Sequence, residues 1–290
     1  MTRSTPARSR RHGLEGILRL THPFPTLLDG AATVAIALLA GGDLLTALRL
    51  GGSMVALQAS IGALNDLIDA PGDTGRKPGK PIPSGSVTPA TARHVVLVGG
   101  VVGVLLAALS GPAMVLVAAA CLGVGYGYDI RAKGTAWSWL PFAIGIPLLP
   151  VFAWFGATGG LPGQFAILLP AAVVAGAALA IANALADLER DTASGYGSVA
   201  ALLGPTRARL MSALLLAVVL VVALGSLWIL GAEPLTFGAT IVAGIVIAVG
   251  LGWARHETAS PARRERAWEI QAIGVALLAA TWLAGAGELG

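Results

Sequence analysis

Long apolar runs separated by polar segments of unequal length make up most of the chain. Nine of these runs have the length, roughly 17 to 25 residues, that a helix needs to cross a bilayer. They cover residues 25–41, 44–64, 94–110, 113–128, 140–157, 165–186, 210–230, 235–254 and 268–286. The strict alternation of apolar and polar positions expected of barrel strands is missing from the sequence. The pattern therefore predicts an all-α, polytopic membrane bundle with about nine transmembrane helices.

Composition and the placement of basic residues support this prediction. The 290 residues are 56% hydrophobic and 12% charged, and their mean hydropathy is +0.79. Of the 19 Lys and Arg residues, all but Arg49 lie before the first run or after an even-numbered run. Basic residues concentrate on the cytoplasmic side of membrane proteins. The N-terminus and the long loops are therefore expected in the cytoplasm, with residues 1–24 as a basic tail and 25–290 as one transmembrane domain.

The same topological rule accounts for the basic isoelectric point and for the cluster Arg263, Arg264 and Arg266. We expect the protein to lie in a lipid bilayer and to have no nucleic-acid partner. The sequence gives no sign of an obligate protein partner. Cys121 is the only cysteine and lies within an apolar run, which excludes an intramolecular disulfide and a cysteine metal cluster.

Two acidic stretches repeat one spacing, N-x-x-x-D-x-x-x-D. The first is NDLIDAPGD, beginning at Asn65, and the second is NALADLERD, beginning at Asn183. Each ends an even-numbered apolar run, so the topology brings both to the cytoplasmic surface. Residues four apart share a helix face, which groups Asn65 with Asp69 and groups Asn183 with Asp187 and Asp191. We interpret the stretches as two halves of one site.

Other acids near these stretches are expected to lie off the principal faces. Pro71 and Gly72 predict that the first helix ends before Asp73, which would then reach the site from a turn. Asp66 and Glu189 are interpreted as peripheral, and Asp129 as uncertain.

Carboxylates that converge at a membrane edge repel one another unless a cation neutralises them. Oxygen-only ligands favour Mg²⁺, which completes its coordination with waters and substrate phosphate oxygens. Basic residues in the same loops suit the remaining phosphate oxygens: Arg76, Lys77, Lys80, Arg131, Lys133 and Arg190. No P-loop or Rossmann glycine pattern accompanies them, so the sequence indicates a lipid-borne diphosphate rather than a nucleotide.

A prenyl diphosphate fits such a site, because its tail would lie in the bundle and its headgroup at the rim. Loss of the diphosphate leaves an allylic cation, which aromatic faces can stabilise. Aromatic candidates lie in or beside the fourth and fifth runs: Tyr126, Tyr128, Phe152, Trp154 and Phe155.

The motifs resemble those of the UbiA superfamily of intramembrane prenyltransferases. NDLIDAPGD is similar to the family's first aspartate motif, DLERD to its second, and KPIPSG to the basic run that follows the first. The resemblance implies that Mg²⁺ and diphosphate are bound by Asn65, Asp69, Asp73, Asp187 and Asp191. It implies basic contacts from Arg76, Lys77 and Lys80. The spacing and the loops themselves add Asn183, Arg131 and Arg190 as further substrate-binding candidates.

Two further segments bear on the resemblance. YGYDIRAKGTAWSW is similar to a tyrosine and lysine-bearing loop of the family, which implies catalytic roles for Tyr128 and Lys133 beside the four aspartates. RLTHPFPTLLDG has His22 and Pro23 where many quinone-pathway members have an Arg-Pro pair. This departure leaves the acceptor open.

The sequence thus predicts an Mg²⁺-dependent prenyltransferase that moves an isoprenyl group from a prenyl diphosphate to a lipophilic, often aromatic, acceptor at the cytoplasmic side of the membrane. Terpene cyclisation and phosphoribosyl transfer to a prenyl phosphate are alternatives within the same resemblance. A transporter is less favoured, because apart from Asp29 and Arg49 near span starts the span interiors lack ionisable groups, so the sequence indicates no charge pathway across the bilayer.

Overall fold

The computed structural model describes residues 6–74, 79–193, 195, 197–253 and 259–287, and in these ranges all regular structure is helical. The elements are α1 (Pro6–Leu20), α2 (Pro23–Leu39), α3 (Leu44–Asp73), α4 (Pro89–Ala108), α5 (Pro112–Gly127), a π-helix (Tyr128–Ala132), α6 (Leu140–Thr158), α7 (Phe165–Ala186), α8 (Leu188–Ala193), α9 (Val199–Leu203), α10 (Pro205–Leu230), α11 (Pro234–Trp253) and α12 (Pro261–Gly287). The predicted all-α fold is confirmed.

Within the described ranges, eight helical segments are long and apolar enough to cross a membrane on their own, and α5 with the π-helix counts as one. The first predicted span differs. Its helix α2 reaches the required length only together with Gly13–Leu20 of α1, and the two are bent by 59°. His22 lies at the bend with a positive φ of 50°, followed by Pro23, whose ring cannot continue the preceding helix. The described part of the chain therefore has eight helices that could each span a membrane, or nine spans if α1 and α2, bent at His22, form one broken span.

The end of α1 packs onto the bundle. Leu20 is fully buried in a small cluster with Ala63, Val87 and Ala92. Residues 1–24, expected as a basic tail, thus include a helix that is docked against α3 and the start of α4.

Helix α3 is longer than the sequence predicted. It runs for 30 residues to Asp73 with Pro71 inside it, so the expected end before Asp73 was wrong. Proline removes only its own N–H and crowds one carbonyl in the turn before it, so the helix can continue past Pro71. Thr74 then closes the helix by donating from its N–H and its hydroxyl to the carbonyl of Ala70. Asn65, Asp69 and Asp73 therefore occupy one face of a single helix.

The bundle centres on α7, which packs against α6, α10 and α12. At Gly176 the backbones approach so closely that an added Cβ would lie 2.3 Å from the carbonyl oxygen of Phe142 on α6. Gly103 of α4 similarly lies against Leu57 of α3. These contacts confirm that small residues permit close helix approach here.

The ends of the helices define two faces of the bundle. The C-terminal ends of α3 and α7 carry the acidic stretches, and we call this face the acidic end. Near the opposite end, Arg49 donates to the Leu106 carbonyl and the Ser110 hydroxyl, both at 2.6 Å, beside the C-terminus of α4. The one basic residue outside the predicted cytoplasmic loops therefore satisfies a helix end.

Candidate active site

The first acidic stretch is joined to the π-helix. The amide nitrogen Nδ2 of Asn65 donates to Oδ1 of Asp129 at 2.7 Å, and Asp129 is buried. The N–H of Lys133 bonds to the Tyr128 carbonyl at 2.8 Å and closes the π-helix. Such single-turn insertions occur frequently at functional sites. Here the insertion directs Asp129 toward α3, and this contact settles the uncertain position of Asp129.

Lys133 and Asp69 form the second link between the same elements. Nζ of Lys133 donates to Oδ2 of Asp69 at 2.6 Å, and both side chains are partly buried. The sequence assigned these two residues to the site for separate reasons. The structure brings them into direct contact and places an ammonium group beside an acid of the first stretch.

Asp66, expected off the principal face, forms a third contact. Its carboxylate is fully buried, where Oδ1 lies 3.1 Å from Nε2 of His22 and accepts a hydrogen bond from Nζ of Lys80. A buried charge requires such partners. Lys80, expected to bind diphosphate, thus pairs with Asp66. Because Asp66 also contacts His22, it connects the loop after α3 to the bend between α1 and α2. The sequence did not predict a contact between His22 and Asp66. The only signal was the position of His22 beside Pro23 at the start of a span.

The second acidic stretch is not one uninterrupted helix as expected. Helix α7 ends at Ala186, and Asp187 has a non-helical backbone with φ −101° and ψ 6° before α8 begins. A backbone bond of 2.9 Å from the Asp191 N–H to the Asp187 carbonyl bridges the break. This bond keeps Asp187 and Asp191 one turn apart across the break.

Tyr128 lies where the two stretches meet. Its phenol is within electrostatic range of four carboxylates. These belong to Asp129, Asp187, Asp191 and Asp69. The Tyr128 ring packs edge-to-face against Phe142, with centroids 5.5 Å apart. Acids of both stretches, which are four spans apart in sequence, therefore lie within electrostatic range of one tyrosine at the acidic end.

The other aromatic candidates on α6 lie elsewhere. Phe152 is fully buried in a core cluster with Leu50 and Met114, and Trp154 packs edge-to-face on Phe165. Ten residues separate Phe152 from Phe142, which places it about 15 Å further along the helix. The helix therefore carries Phe152 and Trp154 into the core, away from the Tyr128–Phe142 pair, and a role for them in stabilising a cation stays a prediction.

The predicted basic contacts are only partly visible. Arg76 and Lys77 lie outside the described residues, and so does the side chain of Arg190. Arg131 is exposed on the π-helix. Their contact with a diphosphate stays a prediction.

An additional basic residue supports the second stretch. Arg264 on α12 is 7% exposed, donates from Nη1 to the Ala259 carbonyl at 2.8 Å and from Nη2 to Oε2 of Glu189. Arg264 therefore makes structural contacts beyond the topological role that the sequence indicated. Buried Ala267 and Gln271 follow it at three and seven residues, so this helical spacing could have shown that position 264 faces inward.

Comparison with known proteins decides the family. Residues 27–283 match the sequence profile of the UbiA prenyltransferase family. The chain belongs to that family. It is 30% identical over 211 residues to a digeranylgeranylglyceryl phosphate synthase of Methanoregula boonei, a match that covers 69% of this chain and 72% of that protein. It is 30% identical over 186 residues to the synthase of the same name from Methanopyrus kandleri, which covers 63% and 67%.

Solved structures of UbiA homologues share the fold. The apo structure of a homologue from Aeropyrum pernix K1 has a TM-score of 0.71 at 20% identity and covers 91% of this chain and 96% of its own. A homologue from Archaeoglobus fulgidus, bound to DMAPP and Mg²⁺, has a TM-score of 0.67 at 18% identity and covers 90% and 98%. Family and fold together identify this chain as an integral membrane prenyltransferase.

The UbiA-type site offers a donor set that fits a hard divalent cation. Its candidates are carboxylate and amide oxygens, and Oδ2 of buried Asp129 has no hydrogen-bond partner. Among the described residues, no three His, Cys, Asp or Glu side chains are already gathered closely enough to hold a metal ion. Mg²⁺ commonly takes one or two protein carboxylates and completes its shell with water and substrate phosphate. The observed residues match that requirement.

An apolar chamber lies within the bundle between α2, α6, α7, α10 and α12, with a volume of about 110 Å³. On α7 its lining runs from Ile167 to Leu179. Leu179 precedes Asn183 by one helical turn. The chamber therefore begins immediately beneath the second acidic stretch, in a position suited to an isoprenoid tail.

Proposed function

We propose that this UbiA-family enzyme transfers an isoprenyl group from a prenyl diphosphate to a hydroxyl group of a glycerol-type lipid, at the cytoplasmic side of the membrane. The observation that carries the proposal is that acids of both stretches lie within electrostatic range of the Tyr128 phenol, while an apolar chamber begins one helical turn before the second stretch. A polar, anion-binding rim over an apolar tail cavity matches the two chemical halves of a prenyl diphosphate.

In this proposal the diphosphate and Mg²⁺ bind at the acidic end. The metal and headgroup are held by Asn65, Asp69, Asp73, Asp187 and Asp191. When bound, Mg²⁺ would stabilise the negative charge that the diphosphate gains as it departs. The basic residues complete this stabilisation, and Lys133 is the best placed of them in the described part of the chain because its ammonium already reaches Asp69.

Tyr128 and Phe142 lie beside the reacting end of the substrate. Their edge-to-face pair fixes the Tyr128 ring between the two acidic stretches. An aromatic face or a phenol oxygen in that position can stabilise an allylic cation. Tyr128 therefore has the role that the sequence had divided among five aromatic residues.

The names of the relatives support a hydroxyl acceptor. The product for which both are named carries two geranylgeranyl groups on one glyceryl phosphate. Joining the second group requires a free hydroxyl on a lipid that already bears the first. The cytoplasmic orientation is supported by the basic residues at the acidic end and by the single basic residue, Arg49, near the opposite end.

The test is product formation by the purified protein in detergent with geranylgeranyl diphosphate and Mg²⁺. Parallel reactions contain geranylgeranylglyceryl phosphate, 4-hydroxybenzoate or no acceptor, and organic extracts are analysed by mass spectrometry. We expect an ether product with the glyceryl lipid, and none with EDTA or in Asp187→Asn. A prenylated aromatic acid instead would overturn the hydroxyl acceptor. A cyclised hydrocarbon without acceptor would show a cyclase.

A further inference from the structure

Asp29 of α2 places a carboxyl group in the wall of the apolar chamber. Among the described residues that line the chamber, it is the one ionisable side chain, and its neighbours there include Leu28, Ala32 and Ile36. An ionisable group at membrane depth is expensive unless it has partners or a function. Structural packing alone would be better served by an apolar residue at this position.

Gln58 of α3 is the partner of Asp29. Its Nε2 donates to Oδ2 of Asp29 at 2.5 Å. Because a carboxylate accepts several hydrogen bonds, one amide donor leaves Asp29 with acceptor capacity that a second hydroxyl can use. The pair combines an acceptor and an oriented amide in otherwise apolar surroundings, which is the arrangement that fixes a single polar group of a ligand.

Gln58 lies on the same face of α3 as the first acidic stretch. Asn65 and Asp69 follow Gln58 by seven and eleven residues, spacings that return to the same helix face. Seven residues correspond to about 10 Å along the helix. The Asp29–Gln58 pair is therefore about 10 Å deeper in the membrane than the first acidic stretch and on the same face.

The pair also marks the end of the chamber nearest that stretch. On α2 the chamber lining runs from Leu28 and Asp29 to Ile36, while α2 begins at the acidic end, antiparallel to α3. A diphosphate held at the acidic end occupies part of the intervening distance. The C1 atom of the prenyl group must then lie between the acidic stretches and Asp29, with its tail in the chamber below.

We propose that Asp29, oriented by Gln58, binds the hydroxyl group of the acceptor and receives its proton. This inference rests on the proposed function, since it requires a hydroxyl nucleophile. The C1–O bond of the prenyl diphosphate breaks, and its electron pair leaves with the diphosphate. The acceptor oxygen forms the new bond to C1, and the hydroxyl proton passes to the Asp29 carboxylate.

The experiment compares Asp29→Asn with the wild type in detergent, with geranylgeranyl diphosphate and geranylgeranylglyceryl phosphate as the substrates. General-base contributions are about 100-fold or more, so we expect kcat for ether formation to fall at least 100-fold and the KM for the glyceryl lipid to rise. The KM for geranylgeranyl diphosphate should be unchanged, and the products should shift toward geranylgeraniol, formed by capture of water. Asp29→Glu, which retains a carboxylate, should recover part of the activity.

Ser53→Ala is the matched control, because Ser53 is buried on the same helix as Gln58 but donates to the Gly103 carbonyl on α4. It should leave the product distribution unchanged. Wild-type rates in Asp29→Asn would overturn the inference while leaving the proposed function intact. A rise in the KM for the diphosphate alone would overturn it in favour of a role in tail binding. Failure of the wild type to prenylate the hydroxyl would instead refute the proposed function.

Discussion

The crossing of α6 and α7 at Gly176 determines the position of the second acidic stretch, and we predict that Gly176→Ala separates the two helices. The added Cβ would lie 2.3 Å from the Phe142 carbonyl oxygen, whereas real Cβ contacts essentially never fall under 3.0 Å. The backbones must therefore part by about 0.7 Å, the difference between these values. The neighbouring atoms belong to the backbone and cannot rotate away.

Overpacking of this kind costs about 1–3 kcal/mol, which corresponds to a fall in the melting temperature of about 2–12 °C for a protein of this size. Activity should fall as well, since Phe142 packs on Tyr128 and α7 leads directly to Asp187. The assay is thermal unfolding in detergent, together with product formation. Gly123→Ala on α5 is the control, because nothing lies within 4 Å of its added Cβ. If Gly176→Ala melts at or above the wild-type temperature, the close crossing is wrong.

Three further substitutions test the contacts at the acidic end. Lys133→Met removes a charge-assisted hydrogen bond of about 1.5–3 kcal/mol, so kcat/KM should fall about 10-fold to 150-fold; unchanged kinetics would exclude Lys133 from the site. Asp66→Asn should lower the free energy of unfolding by on the order of 3 kcal/mol, because it leaves Lys80 without its buried partner; equal denaturation curves would contradict the buried pair. Arg264→Ala should destabilise the protein more than Arg266→Ala, whose side chain is 73% exposed; melting temperatures in the reverse order would refute the anchoring role.

Periodicity and apolar length were sufficient to predict the helical fold and nearly all spans. Helices α6 and α7 begin and end within one residue of the predicted runs 140–157 and 165–186. The exceptions arise at prolines. Pro71 lies within α3, where the following residues still form helical hydrogen bonds, whereas Pro23 begins a new helix after the bend at His22. The residue type alone does not distinguish the two cases, because the outcome depends on what the neighbouring backbone can still bond.

The repeated N-x-x-x-D-x-x-x-D spacing was sufficient to predict that two distant stretches share one site. It could not predict which bases meet which acids. Lys80 pairs with Asp66, and Arg264 reaches Glu189 from the last helix. Neither pairing could be predicted, because both depend on how the loops and helices pack in three dimensions. Asp29 was visible only as an acid near a span start, and its place in the chamber wall follows from the packing of five helices.

The most direct test of the central claim, that both acidic stretches form one Mg²⁺-dependent diphosphate site, is a binding measurement that involves no turnover. Titration calorimetry would follow the non-hydrolysable analogue geranylgeranyl thiolodiphosphate binding to the wild type, Asp69→Asn and Asp187→Asn, each with Mg²⁺ and with EDTA. A single shared site predicts Mg²⁺-dependent binding to the wild type and loss of that dependence in each variant, because each variant removes a ligand from one half of the site. Retention of full Mg²⁺-dependent affinity in either variant would contradict it.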